Sequence, residues 1–272
     1  MDKNEGGQVA SPPIAILQDT SACYVYCIVP AAETQSLSDK GIGGRDVFSI
    51  VYGDLGALIH LCPPLPYQSE DPDVLASWVL EHHRVVETAW RRWGTVLPLA
   101  FNTILGAKGT DDPGHTLTQW LEAEYDSLKQ KLEALRGKAE YGVQAFWDTP
   151  QITRDIMQTT PEIRKLEQEM HTSGPGLVYM NRQRLERLLK KEMETKAGEE
   201  SRELCSLLQS CTERVQIERP KVSVTGPKML INFSCLVSSN RVPEFEAQIK
   251  EFETREGRSI RLVGPFPPYS FC

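Results

Sequence analysis

His82 and His83 are the adjacent pair that invites a metal or proton-transfer reading. They fall within a helical pattern, where neighbouring residues point about 100° apart, so the two imidazoles cannot enter one site. No second histidine at i+4 completes an HxxxH metal pair. His82 lies on the apolar stripe of its helix and reads as a hydrogen-bonded core residue, while His60, His115 and His171 stand alone. The seven cysteines, at 23, 27, 62, 205, 211, 235 and 272, contain no CxxC. Cys23 and Cys27 are four apart on an expected strand, hence on one face but about 13 Å apart, too far for a disulfide or a shared metal. Ser234-Cys235 lies inside a strand, with no helix N-terminus to acidify the thiol. The glycines Gly41, Gly43 and Gly44 open no helix and so form no phosphate cradle. Neither GxxxxGK[ST] nor GxSxG occurs, and nothing assembles nucleophile, base and oxyanion donor. We therefore expect no enzyme activity, no cofactor and no metal.

The aromatic residues are distributed more suggestively. Trp78, Trp90 and Trp93 sit on or beside one helix, and the chain ends on Gly264-Pro265-Phe266-Pro267-Pro268-Tyr269-Ser270-Phe271. Prolines at 265, 267 and 268 forbid helix and central strand, so this end is an extended, stiff, aromatic tail. Trp90, Trp93, Phe266, Tyr269 and Phe271 are the candidate partner-binding residues. The tail can pack on the protein's own surface, the preferred reading, or dock on a partner.

These residues are carried by 272 positions, 40% hydrophobic and 25% charged, with a formal charge of -7. That supports a sizeable core and two domains. The acidic balance argues against nucleic-acid and anionic-membrane binding, both of which want basic patches. No apolar run approaches the roughly 20 residues that span a bilayer, and no signal peptide opens the chain, so a cytoplasmic protein is expected.

Residues 1–21 read as a disordered leader. Ala22 to Val29, apolar on both faces, reads as a central strand. The segment 37–45 is a loop, and Val47 to Tyr52 and Leu55 to Leu61 form a hairpin about Gly53-Asp54. Asp71-Pro72 starts a helix that presents Leu75, Trp78, Val79, His82, Val85, Val86 and Ala89, and Gly94 closes it. Val96 to Phe101 is a strand. Asp111 or Asp112 starts a single helix running to Gly137, which bridges two domains. Tyr141 to Trp147 is a strand, followed by helices over 151–171 and 177–215. Strands at Val222 to Thr225 and Met229 to Val237 flank the turn Gly226-Pro227. A helix over Val242 to Phe252 and a strand over Ile260 to Val263 complete the chain. The fold class is therefore α+β, two ferredoxin-like domains, the C-terminal one with an enlarged helical crossover. Their bounds are 22–108 and 139–272, joined by the linking helix at 109–138.

Several segments together resemble the gas vesicle protein F/L family (GvpF/GvpL). Tyr24-Val25-Tyr26-Cys27-Ile28-Val29 is similar to its opening strand. His82-His83-Arg84-Val85-Val86-Glu87 and Val96-Leu97-Pro98-Leu99-Ala100-Phe101-Asn102-Thr103 resemble its H-x-x-V-V helix and V-L-P-x-R-F-G-T strand. Gly174-Pro175-Gly176-Leu177-Val178-Tyr179-Met180 resembles the start of its long helix, and residues 264–271 its G-P-W-P-P-Y-S-F ending. Ala100 and Asn102 stand where the family often has Arg and Gly, and Phe266 where it has Trp. The resemblance covers about residues 22–271. It implies a minor gas vesicle component or assembly accessory with no chemical step. Its partners would be the hydrophobic shell protein GvpA, kept from aggregating during nucleation, and other gas vesicle accessory proteins, and its location the gas vesicle. The competing expectation is a ligand-binding or enzymatic protein with a pocket between sheet and helices, which needs convergent polar groups in an apolar cavity.

Overall fold

The computed structural model describes residues 20–31, 33–107, 112–172, 174–219 and 228–272. These divide into two compact units. One comprises the described residues up to Gly137 together with Pro267–Ser270 and Cys272, the other Lys138–Phe266 with Phe271. The leader, apart from its last two residues, lies outside the described residues, as does Asp111.

The first unit is built on strands β1 (Ala22–Pro30), β2 (Ser36–Lys40), β3 (Asp46–Tyr52) and β4 (Leu55–Cys62), ordered β2-β3-β4-β1. Two short strands, β5 (Leu97–Pro98) and β6 (Ile104–Gly106), both pair with the far side of β1. β1 is buried along nearly its whole length, as its two-faced apolar pattern requires. A bulge between Val25 and Cys27 shifts its register against β4. Tyr24, Tyr26, Cys27 and Val29 consequently belong to one core cluster. The bulge reverses the alternation, so Cys23 and Cys27 do not share a face as uninterrupted pleating would have it.

Helix α1 (Pro72–Trp93) covers this sheet. Asp71 caps it by accepting from the Asp73 amide, and Gly94 ends it in the left-handed region at φ 73°. The expected strand 96–101 is instead β5 and β6, separated by a turn in which Asn102 takes φ 68°. The expected loop 37–45 contains β2 and a short 3-10 turn at Ile42–Gly44. The single linking helix is in fact two, α2 (Pro113–Ala123) and α3 (Tyr125–Leu135), interrupted at Glu124. Their stripe of Leu117, Leu121, Leu128, Leu132 and Leu135 is buried, and both helices belong to the first unit. Burying five leucines on that unit's own sheet outweighs anything a solvent-exposed bridge could gain.

The second unit's strands are β7 (Lys138–Trp147), β8 (Arg214–Glu218), β9 (Lys228–Ser238) and β10 (Arg258–Phe266), ordered β10-β7-β9-β8 and antiparallel throughout. β1 and β9 thus lie in separate sheets. Between β7 and β8 come α4 (Thr149–Thr159), α5 (Pro161–Thr172) and α6 (Pro175–Cys211); α7 (Val242–Glu253) joins β9 to β10. The helix expected over 151–171 breaks before Pro161, whose ring and missing N–H cannot continue a helix. The helix expected to 215 stops at Cys211, and β8 follows because residues 214–218 pair with β9. Val215 and Ile217 alternate there with Arg214, Gln216 and Glu218, a strand's period of two. The expected strand at 222–225 and the turn at 226–227 lie outside the described residues. β10 runs to Phe266, past the expected end at Val263, on a sheet edge where a proline is tolerated.

Candidate functional site

The polar chemistry of the first unit is concentrated beneath α1, in a buried tyrosine–histidine network. The β1–β4 pairing sets Tyr24 opposite His60. Their rings stack at 4.9 Å and 10°. The Tyr26 hydroxyl accepts from the Ile42 amide at 2.9 Å and meets His60 Nδ1 at 2.7 Å. A tyrosine has one proton to give. With a backbone donor already on its oxygen, Tyr26 donates to His60 Nδ1. His60 then carries its proton on Nε2 and donates to the Tyr67 hydroxyl at 2.9 Å. Tyr24 repeats the arrangement, accepting from the Asn102 amide at 3.1 Å and donating to His82 Nδ1 at 2.9 Å. Asn102 closes the circuit: its side chain accepts from the Tyr67 amide at 2.8 Å and donates to the Tyr67 carbonyl at 3.1 Å.

The Ile42 loop reaches Tyr26 only because Gly41 has no side chain; a Cβ there would overlap the Tyr26 hydroxyl. Asn102 sits at a positive φ that asparagine and glycine tolerate best, so Asn stands comfortably where the resembled family often has Gly. His60 is therefore far from alone, and His82 is the hydrogen-bonded core residue its helical position suggests.

Burial lowers both histidines, His60 to about 3, helped by the Arg45 charge, and His82 to about 4. The backbone of Leu99 pulls His82 the other way by less, and its Nε2 is buried without a hydrogen bond of good geometry. Burial raises Tyr67 to about 12 and pushes Tyr24 and Tyr26 higher still. At neutral pH every member is uncharged, so the network orients strands, loop and helix and holds no group poised to transfer a proton.

Above the network the apolar stripe of α1 runs on past the sheet. His82, Val85, Val86 and Ala89 are buried, whereas Leu75 and Val79, expected in the same buried stripe, are exposed along with Val74. Leu75 and Phe101 instead line an open cleft of about 610 Å³ with Tyr67, Glu70 and Asn102, and Leu65 stands 62% exposed nearby in sequence.

The five candidate partner-binding residues divide between the two units. Trp90, Trp93 and Tyr269 are half-buried against the first unit's core. Tyr269 also meets His83 Nδ1 at 3.2 Å. Phe271 is buried in the second unit beneath the Arg214 guanidinium, 5.4 Å from its ring centroid. Phe266 is 39% exposed at the end of β10. Residues 267–270 and Cys272 group with the first unit, and Phe266 and Phe271 with the second. Sequence reasoning missed Tyr24, Tyr26, His60, Tyr67 and Asn102 as one assembly. Tyr24-x-Tyr26 on one strand and a histidine on the next was the available signal, but only strand register brings them together.

The second unit is pinned by charge. Glu200 on α6 accepts from the Trp147 indole at 2.8 Å and pairs with Arg258, and is itself 6% exposed. Nearby, Arg255 grips Glu203 through two nitrogens at 2.7 and 2.5 Å, holding that carboxyl below its usual range. Among the described residues no group of three His, Cys, Asp or Glu could hold a metal ion, and no helix is long and apolar enough to cross a membrane.

The tyrosine pair on β1, His82 of α1 and Tyr269 of the tail thus pack together in the first unit, on segments that carry part of the family resemblance. A family model described as gas vesicle synthesis protein GvpL/GvpF matches residues 22–272, and the chain belongs to that family. Gas vesicle protein L1 of Halobacterium salinarum is 27% identical, covering 92% of this chain and 89% of its own. Gas vesicle protein F of a Streptomyces species is 29% identical, over 91% and 98%. The crystal structure of the gas vesicle protein GvpF from Anabaena sp. PCC7120 superposes with a TM-score of 0.71 at 20% identity, covering 92% of this chain and 98% of that one. That likeness shows the fold. Family membership supports a gas vesicle accessory role, and the relatives' names describe gas vesicle proteins and no reaction.

Proposed function

We propose that this protein binds the hydrophobic gas vesicle shell protein GvpA and limits its aggregation during nucleation and assembly. It would act at the gas vesicle and in the cytoplasm, alongside other gas vesicle accessory proteins. The observation that carries this is at the two edges of the second sheet, each of which presents a large exposed apolar side chain: Ile217 on β8, 71% exposed, and Phe266 on β10. An open edge offers main-chain donors and acceptors to an incoming strand, and alternate side chains grip it. A small apolar subunit with unsatisfied strands is the kind of partner such an edge takes. Phe266 is the candidate aromatic placed to touch it, and Trp90, Trp93, Tyr269 and Phe271 are the further candidates for partner contact. We also read both units as ferredoxin-like. The second runs β-α-β-β-α-β with its last strand beside its first and the first beside the third, and the first unit keeps that order with β2 added at the edge. The ligand-pocket alternative is not favoured, because the cleft above the network is open and the network's own tyrosines and histidines are uncharged at neutral pH.

The test is co-expression of the shell protein with wild-type protein, Ile217→Lys or Phe266→Asp, followed by sedimentation. Wild-type protein should hold shell protein in the supernatant and each variant should release it to the pellet. Variants of unchanged melting temperature that protect as well as wild type would remove this reading.

A further inference from the structure

We propose that this chain associates with a second copy of itself head to tail, the amino-terminal part of α6 in one copy seating on the α1 overhang of the next. Two exposed apolar surfaces of opposite charge carry the inference, and it does not depend on the shell-protein reading.

The first surface is the overhang. Val74, Leu75 and Val79 extend the apolar stripe as exposed side chains, Leu65 is exposed in the segment that leads into the helix, and the cleft lined by Tyr67 and Phe101 opens beside Leu75. Its charged neighbours are Glu70, Asp71 and Asp73, of which Glu70 lines the cleft itself. Arg45, the cation beside Tyr67, is turned onto the Leu61 carbonyl at 2.7 Å. This is an apolar groove with an acidic lip.

The second surface is on α6. Leu185, Leu189 and Met193 pack inward against the second unit's core. On another face, Leu177, Met180, Arg184, Arg187 and Lys191 recur at three-and-four spacing and are all exposed. Two apolar side chains thus lead a basic stripe. Arg184 shares part of its charge with Glu162 at 3.3 Å.

Neither surface can pair with its own copy, since acidic lip would face acidic lip and basic stripe would face basic stripe. Symmetric association through either patch is therefore disfavoured. Each supplies the charge the other lacks. The contact joins two different surfaces, so two copies can exchange it reciprocally and close as a dimer, or pass it on to further copies. The occupant of the α1 groove is an amphipathic helix with basic flanks, a helix-in-groove contact in which the apolar residues anchor and the charges set direction.

Sedimentation velocity of the purified full-length chain over a concentration series tests this. Wild-type protein should show a mass that rises with concentration above the monomer, and the rise should shrink in high salt, which screens the rim charges. Glu70→Lys with Asp73→Lys, and separately Arg187→Glu with Lys191→Glu, should each be monomeric at unchanged melting temperature. Mixed together, the two charge-reversed proteins should associate again, because each then offers the other's complement. A monomer at every concentration overturns the proposal, and so does association that ignores both variants or a mixture that stays monomeric. An α6 segment folded onto its own chain would give the first of these outcomes.

Discussion

The two units fasten helix to sheet by opposite means. The first uses neutral groups: tyrosine hydroxyls that take a backbone amide on one side and give a proton to a buried histidine on the other. The second uses a buried carboxylate that takes an indole N–H and an arginine. A neutral network costs little to bury provided every member is satisfied, and it is vulnerable to whatever charges it. An ion pair costs much to bury and is vulnerable to loss of either partner, which strands the other charge. The two halves of one chain should therefore fail under different insults.

Acid should divide them most sharply. Both histidines titrate below their ordinary value when folded, so between that value, 6.5, and about 4 and 3 the unfolded chain binds more protons than the folded one. Their contribution is complete above pH 6.5 and is lost as pH falls through the folded values. Hydrogen exchange of β1 and β4 amides should accelerate on acidification with a dependence of up to two protons. A His60→Gln, His82→Gln variant should flatten that dependence. A profile identical in wild type and variant would show that the histidines are not its source.

Glu200→Ala should be next in size. It leaves Arg258 buried without its carboxylate and the Trp147 N–H without an acceptor, and should cost roughly 3–5 kcal/mol. Exchange should rise across β7 and β9 and stay near wild type in β1. Equal acceleration in both sheets would break the contrast between the units.

Tyr26→Phe should be smallest. It keeps the ring but leaves the Ile42 amide and His60 Nδ1 unpaired, at a cost of about 2–3 kcal/mol. The same measurement should show the loss in the first unit alone. Tyr26→Phe at wild-type stability would mean that water or a shifted loop replaces the hydroxyl.

Much of the fold was legible from local chemistry. Asp71-Pro72 and Gly94 mark the limits of α1 in any context, because a cap and a left-handed terminus are set by the residues themselves. β1 announced itself by apolar residues on both faces, and β7 by strict alternation. β8 was missed although Val215 and Ile217 alternate with Arg214, Gln216 and Glu218, because that short period-two signal follows directly on a long helical charge run. The α2–α3 break was hidden because its leucine stripe continues in phase across Glu124.

Elements whose causes are local can be read from the residues alone: caps, breakers, periodicity, and the ordered motifs that place the chain in its family. Trp90, Trp93 and the tail aromatics stood out there as candidates for packing or contact. Which of them are covered is settled by packing across distant segments. The tertiary structure alone brought Tyr24, His60, Tyr67 and Asn102 together from four separate segments, through a bulged register and a turn at positive φ. Strand pairing and burial are sums over residues distant along the chain. A hydroxyl's partner depends on which of those distant residues the sheet sets opposite it, and no local pattern contains that choice.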